Sequence, residues 1–301
     1  MSTLPATAPA RPVRADPSPV PRPRPSRRGL AGAFWRQPLG LVGLALTVGV
    51  VGVAVLGPVI VPSDPFAAAG APLQRPDQAH LLGTDDLGRD VLSGVVHGAR
   101  VSLLVGLIAA VTAGVLGTLV GLTAGFYGRI IDDLLMRLTE VVQVAPRFFL
   151  AVLVAALFGP SLWHLALLLG LTFWPLTARL LRAEVLSLRE REYVLAARLA
   201  GASDGRILAR HLLPNGLSLV VITAALQIGT AIVVEASLSF LGLGDRTQIS
   251  WGYMLNNAQP FLRTAWWMSV GPGVALAVTV LGANLLADGL QAALDPRLGR
   301  R

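Results

Sequence analysis

Six apolar stretches, separated by polar connections, set the pattern of this chain. Leu39 to Val61 runs 23 residues without a charge, about 34 Å as a helix and long enough to span a bilayer. Val101 to Ala124 is the second stretch, with Gly117, Gly121 and Gly125 at intervals of four on one helix face, a pattern that permits close helix–helix packing in lipid. The third, Asp132 to Phe158, is too long to lie wholly in hydrocarbon. Its first turns carry Asp133, Arg137 and Glu140, and Asp133 and Arg137 are spaced to pair at i,i+4. Arg147 sits midway beside Pro146, which breaks the backbone ladder. It is expected to pair with Glu140 or to line a translocation path. Trp163 to Leu181, Leu217 to Val234 and Trp266 to Leu286 complete six predicted spans. Pro175 is expected to kink the fourth, and Trp266 and Trp267 are placed as an interfacial belt on the sixth.

The polar connections differ in kind. Residues 1–36 are rich in Pro, Ala and Arg (Pro21-Arg-Pro-Arg-Pro-Ser-Arg-Arg28) and cannot bury a core. They predict a disordered tail that carries a topology signal and a weak attraction to anionic lipid. Between the fourth and fifth spans lies a charged island, Glu192-Tyr-Val-Leu-Ala-Ala-Arg-Leu-Ala-Gly-Ala-Ser-Asp-Gly-Arg-Ile-Leu-Ala-Arg-His-Leu-Leu-Pro-Asn215. Helix formers fill Tyr193 to Ala200, and Gly201 can take the positive φ that closes a helix. Ser203 or Asp204 can cap a second helix, expected to run until Pro214. The island reads as helix, tight turn, helix, with little bulk at Ala196, Ala197, Ala200, Gly201 and Ala202, so that another protein can approach the backbone.

Composition agrees with a membrane protein: 53% of the 301 residues are hydrophobic and 14% charged, against about 25% charged in soluble domains. All 25 basic residues are arginine. A Walker A loop needs a lysine on the phosphates, so this chain cannot hydrolyse ATP in that way. With six spans and both termini inside, 18 arginines fall on the inner side and 5 (Arg75, Arg89, Arg100, Arg246, Arg263) on the outer. That is the positive-inside bias, and it argues against a nucleic-acid partner. No cysteine, no His-Glu-x-x-His and no Gly-x-Ser-x-Gly occurs, so neither a metal site nor a catalytic constellation is predicted.

The island's spacing, Ala-Ala-x-x-x-Gly, nine residues, then x-x-Leu-Pro, resembles the "EAA" loop of ABC importer permeases. The acidic residue that names that motif is Leu195 here. The outer stretch His80-Leu-Leu-Gly-Thr-Asp-Asp-Leu-Gly-Arg-Asp-Val-Leu-Ser93, followed by Gly98-Ala-Arg-Val-Ser-Leu103, resembles the segment preceding the permease core in the dipeptide/oligopeptide/nickel branch, C-type subunit. From the residues alone, Asp85 and Arg89 form an exposed helical pair contributing about 0.3–0.5 kcal/mol. The motif Gly83, Thr84, Asp85, Gly88, Arg89, Asp90 reads first as a solvated cap on the second span and otherwise as a docking surface for an external binding protein. Glu235-Ala-Ser-Leu-Ser-Phe-Leu-Gly-Leu-Gly244 and Ser250-Trp-Gly-Tyr-Met254 are similar to the same branch. Glu235 is read as facing the path or reaching the interface. The ending from Ala287 resembles the family's, with Ala287 and Gln291 departing from its usual glycine and arginine.

The resemblance implies an all-α integral membrane permease of the cytoplasmic (inner) membrane. It has six transmembrane helices with cytoplasmic termini, as a five-helix importer core plus one N-terminal helix. Its divisions are 1–36 (tail), 37–100 (first helix and external loop) and 101–298 (core, with a cytosolic coupling loop at 182–215). It further implies a non-enzymatic transport subunit and a heterodimer with a homologous permease. Two ATP-binding subunits bind and hydrolyse ATP, and an external substrate-binding protein delivers cargo. ATPase coupling falls on Glu192, Ala196, Ala197, Arg198, Gly201, Ala202, Ser203 and Pro214. The path candidates are Arg147 and Glu235. Peptide is the expected substrate, with nickel as the alternative in the same branch. An ion-coupled secondary transporter is a more distant alternative, since no internal repeat or midplane acid supports it.

Overall fold

The computed structural model describes residue 32 and residues 34–294. The tail's first 31 residues and the last seven, including Arg297, lie outside the described residues.

Among the described residues run the α-helices α1 (Pro38–Ile60), α2 (Val91–Tyr127), α3 (Arg129–Val144), α4 (Arg147–Phe158), α5 (Leu162–Leu188), α6 (Glu192–Leu199), α7 (Asp204–Ile207), α8 (Leu213–Phe240), α9 (Trp251–Ala258) and α10 (Trp267–Leu294). Five helical stretches are long and apolar enough to cross a membrane, and α3 with α4 makes a sixth if that bent pair is one span. The pair bends by 74° at Ala145–Pro146, because a proline there cannot donate to the ladder. α5 and α10, by contrast, continue through Pro175 and Pro272 as single helices.

α2 is longer than expected. Its 37 residues rise about 55 Å, well beyond the roughly 30 Å thickness of the hydrocarbon core. Asp90 caps it by accepting the Ser93 N–H, and Gly128 ends it at φ +64°. The glycines of its stripe lie against α5. A Cβ at Gly117 would stand 2.6 Å from Thr177 Cβ, one at Gly121 2.7 Å from the Ala178 carbonyl oxygen, and one at Gly125 2.8 Å from Val185 Cβ. The stripe therefore packs within its own bundle. The resulting seam is the chain's centre: Val105, Ala109 and Ala113 of α2 are buried with Ala166, Leu169, Phe173, Trp174 and Ala178 of α5. α8 closes on this pair through Gln227, whose amide donates to Thr177 Oγ1 at 3.0 Å. α1 lies on α10, where Gly40 and Gly289 meet backbone to backbone.

α3 and α4 pack far less. Ile130, Leu134, Val141 and Val144 on α3 are each more than 65% exposed within this single chain, as are Leu157 and Phe158 on α4.

Candidate functional site: the interhelical elbow and the opposite end

α5 leaves the bundle at Leu188 and turns through Arg189–Arg191 into α6. The corner that follows is a Schellman closure. The Ala202 N–H donates to the Ala197 carbonyl, the Gly201 N–H donates to that of Arg198, and Gly201 sits at φ +80°. A residue without a Cβ holds that backbone at least cost, so the glycine closes the helix as expected. Ser203 occupies the N-cap position of α7, although its side chain makes no cap bond there.

Beyond α7 the expectation of a stop at Pro214 fails. A single π turn, Leu208–Leu212, carries the chain into α8, where Pro214 lies in the first turn. The Leu213 N–H reaches the Leu208 carbonyl, five residues back. A π turn widens the helix and relieves the clash a proline makes with the preceding turn. The elbow thus continues into the membrane helix on its C-terminal side.

Three side chains anchor the elbow. Val194, Ile207 and Leu212 are fully buried in one cluster with Leu122 and Phe126 of α2 and Leu181, Val185 and Leu188 of α5. Arg198 lays its guanidinium 5.1 Å from the centre of the Phe126 ring. The other side of the elbow is open. Leu199 is 90% exposed and Leu195 46%; Glu192, Ala196, Gly201 and Ser203 are exposed as well, while Ala197 and Ala202 are half-buried. A Cβ placed at Gly201 or at Gly205 would meet nothing within 4 Å. Two exposed leucines one turn apart on α6, beside a corner without bulk, leave an apolar surface open. The hydrophobic Leu195, in the place of the family's acid, belongs to that surface.

At the opposite end, residues 62–90 fold compactly, which corrects the solvated-cap reading of the outer motif. Thr84 is fully buried and Arg89 only 8% exposed. Gly83 and Gly88 take φ of +72° and +74°. Asp85 is no helical partner of Arg89. It closes a turn, accepting the Leu87 and Arg89 N–H groups on Oδ1 and Arg89 Nε on Oδ2 at 2.6 Å. Burial disfavours the Arg89 charge, but hydrogen bonds to Tyr253 and Asp85 outweigh it and hold its pKa above the ordinary arginine value. Asp90 caps α2 and also binds His80 Nδ1 at 2.8 Å. Trp267 is buried, donating its indole N–H to the Thr84 carbonyl at 3.1 Å, so of the expected interfacial pair only Trp266 is exposed. Each residue of the motif thus has a partner within its own chain.

The expected contacts of four charged groups change. Arg147 makes no ion pair within 4.0 Å among the described residues. The bend at Ala145–Pro146 puts it on a different helix from Glu140, and its guanidinium lies 4.9 Å from the Phe173 ring centre. Asp133 and Arg137 do not pair either. The neighbouring acid, Asp132, forms the ion pair, with Arg182 of α5. Glu235 is 2% exposed and reaches no interface. Its Oε1 accepts the hydroxyls of Ser239 at 2.7 Å and Ser250 at 2.8 Å, which ties α8 to the cap of α9. A cavity of about 540 Å³ does open at this end, lined by Phe66, His97, Arg100, Trp163 and Asp245 among others, and neither Arg147 nor Glu235 lines it.

Comparison with known proteins agrees with this architecture. Residues 117–300 match the family "Binding-protein-dependent transport system inner membrane component". The dipeptide transport system permease protein DppC of Alkalihalophilus pseudofirmus is 38% identical over 92% of this chain and 94% of its own. The di/tripeptide transport system permease protein DppC of Pseudomonas aeruginosa is 38% identical over 88% and 90%. The glutathione transport system permease protein GsiD of Pectobacterium atrosepticum is 39% identical over 75% of each. Among solved structures, a chain of the inward-facing MetNI methionine ABC transporter shares the fold, with a TM-score of 0.53 at 20% identity over 67% of this chain and 97% of that one. A helical bundle of five to six candidate spans and a family match across most of its core place this chain in the binding-protein-dependent transport system inner membrane component family, as a multi-pass permease of an ABC importer.

Proposed function

We propose that this chain is the C-type permease subunit of an ATP-driven peptide importer, coupled to its ATPase through the elbow at Glu192–Pro214. The observation that carries this reading is the elbow's two-sidedness: Val194, Ile207 and Leu212 are buried in the bundle, and Leu195, Leu199 and the Gly201 corner are bare. The arginine distribution favours placing the elbow on the cytosolic side. ATP is bound and hydrolysed by two partner subunits, since this chain has no lysine for a phosphate loop. A homologous permease completes a heterodimer, covering apolar surface that this chain leaves open. An external binding protein delivers the cargo. Peptide is favoured over nickel because relatives 37–42% identical across most of their length are peptide or dipeptide transport permeases by name. Closure of the ATPase pair pushes on the elbow. α5 and α8 flank it in sequence and are tied together by Gln227 and Thr177, so they move as one lever and switch the bundle between inward and outward access.

Reconstitution tests the reading. Proteoliposomes with both permeases, both ATP-binding subunits and the binding protein take up a labelled dipeptide when ATP is supplied. Omitting either the ATP-binding subunits or the binding protein stops uptake. An ion-coupled carrier transports without either, and that result sinks the proposal.

A further inference from the structure

Where α2 passes into α3, three arginines from α5 and the elbow converge. Gly128 and Arg129 both take positive φ there, +64° and +51°, so the joint is a sharp turn. Arg182 grips the first turn of α3, its Nε donating to Asp132 Oδ1 and its Nη2 to Oδ2, both at 2.5 Å. Asp132 is 7% exposed. Seven residues on, and so on the same face of the helix, Arg189 donates to the Gly125 carbonyl at the end of α2 at 2.9 Å. Arg198 of the elbow covers Phe126.

These contacts do different things. Arg189 and Arg198 join the elbow to α2, which α5 already holds along the whole glycine seam. Only the Arg182 pair reaches α3. That helix presents Ile130, Leu134, Leu138 and Val141 outward and has Asp132 and Thr139 as its buried residues. The Thr139 hydroxyl bonds within α3, to the Leu135 carbonyl. The Asp132 carboxylate is therefore α3's one side-chain ion pair to the helix that bears the elbow, among the described residues. A bidentate guanidinium–carboxylate fork fixes direction as well as distance.

We propose that Asp132 and Arg182 are positioning residues that hand displacement of the elbow on to the broken span α3–α4. The inference rests on the elbow being the ATPase dock. When α5 is pushed, the fork drags the first turn of α3, and the bend at Ala145–Pro146 converts that pull into a change of angle of α4, which carries Arg147. Without the fork, the elbow and α5 still move, but the first turn of α3 is no longer held to α5; only the looser contacts of Val142 and Arg147 with the α5 core remain, and they do not fix the direction of the pull. Hydrolysis then continues while transport fails.

The test uses the full importer complex with Asp132→Asn, Arg182→Gln and the exchanged pair Asp132→Arg/Arg182→Asp. The readout is ATP hydrolysed per peptide taken up. We expect that ratio to rise at least tenfold in each single variant, with binding-protein-stimulated hydrolysis within twofold of wild type, and to fall back toward wild type in the exchanged pair. Arg182→Lys, which keeps the charge but loses the fork, gives an intermediate ratio and serves as the reading if Asp132→Asn does not assemble. A merely structural role lowers hydrolysis and uptake together, in step with the amount of complex, and leaves the ratio unchanged; that result overturns the proposal. A wild-type complex without ATP-dependent uptake sinks the docking reading instead.

Discussion

Gly201→Trp reduces ATP-dependent uptake by about 100-fold and removes the ATP-binding subunits from the purified complex, while the permease itself remains folded. The corner is open within this chain, since a Cβ at Gly201 meets nothing within 4 Å. An indole built on that open side extends toward whatever docks on the corner. Inserting bulk into a packed contact costs about 3 kcal/mol, or about two decades in affinity. The substitution also forces a side chain on to a φ of +80°, at about 1–2 kcal/mol, and this second effect needs separating from the first. Gly201→Asn does so: asparagine tolerates the left-handed region and adds little bulk. It is expected to retain uptake within about twofold. Uptake lost equally in both variants would mean that the corner's backbone, and not its emptiness, is what matters.

Gly121→Leu, the second large effect, prevents the bundle from forming. The Cβ alone would stand 2.7 Å from the Ala178 carbonyl oxygen and 3.2 Å from its Cα, both backbone atoms that cannot rotate away. Leucine's better helix propensity returns about 1 kcal/mol. Overpacking costs about 3 kcal/mol or more when helices must separate, so the clash wins. Size-exclusion chromatography in detergent should show Gly121→Leu as aggregate and Gly49→Leu as wild type, because the Gly49 site has nothing within 4 Å and is exposed on α1. Equal behaviour of the two would show that the stripe faces something other than α5.

Residue patterns identified the spans and the elbow because both depend on local rules. An uninterrupted apolar run has few other homes, and a glycine after a helical run is placed by φ alone. What a pattern cannot supply is the partner. Three glycines at intervals of four define a face of α2, but only packing shows that α5 fills it. Asp132 and Asp133 differ by about 100° around the helix axis. The i,i+4 rule selected Asp133 for Arg137, while burial selected Asp132 for an arginine 50 residues away. Arg147 and Glu140 looked adjacent on one helix, and a 74° bend separates them. Asp85 and Arg89 do pair, yet inside a turn whose geometry is set by two glycines in the left-handed region. Pro214 reads as a stop in sequence because the rule assumes an α-helical turn before it. The π turn at Leu208–Leu212 removes that assumption. Trp267, expected at the lipid boundary, is held inward by a carbonyl 183 residues away in sequence.

In the proposed arrangement the bare side of the elbow faces the cytosol and is covered by a separate ATPase. Because the chain has no cysteine, Leu199→Cys places a single thiol on the elbow's most exposed leucine, and a membrane-impermeant maleimide reports on both points at once. We expect no labelling in intact cells, rapid labelling in inverted vesicles stripped of ATP-binding subunits, and protection when those subunits are added back. Labelling of intact cells from outside, or a labelling rate in vesicles that the subunits leave unchanged, would contradict it.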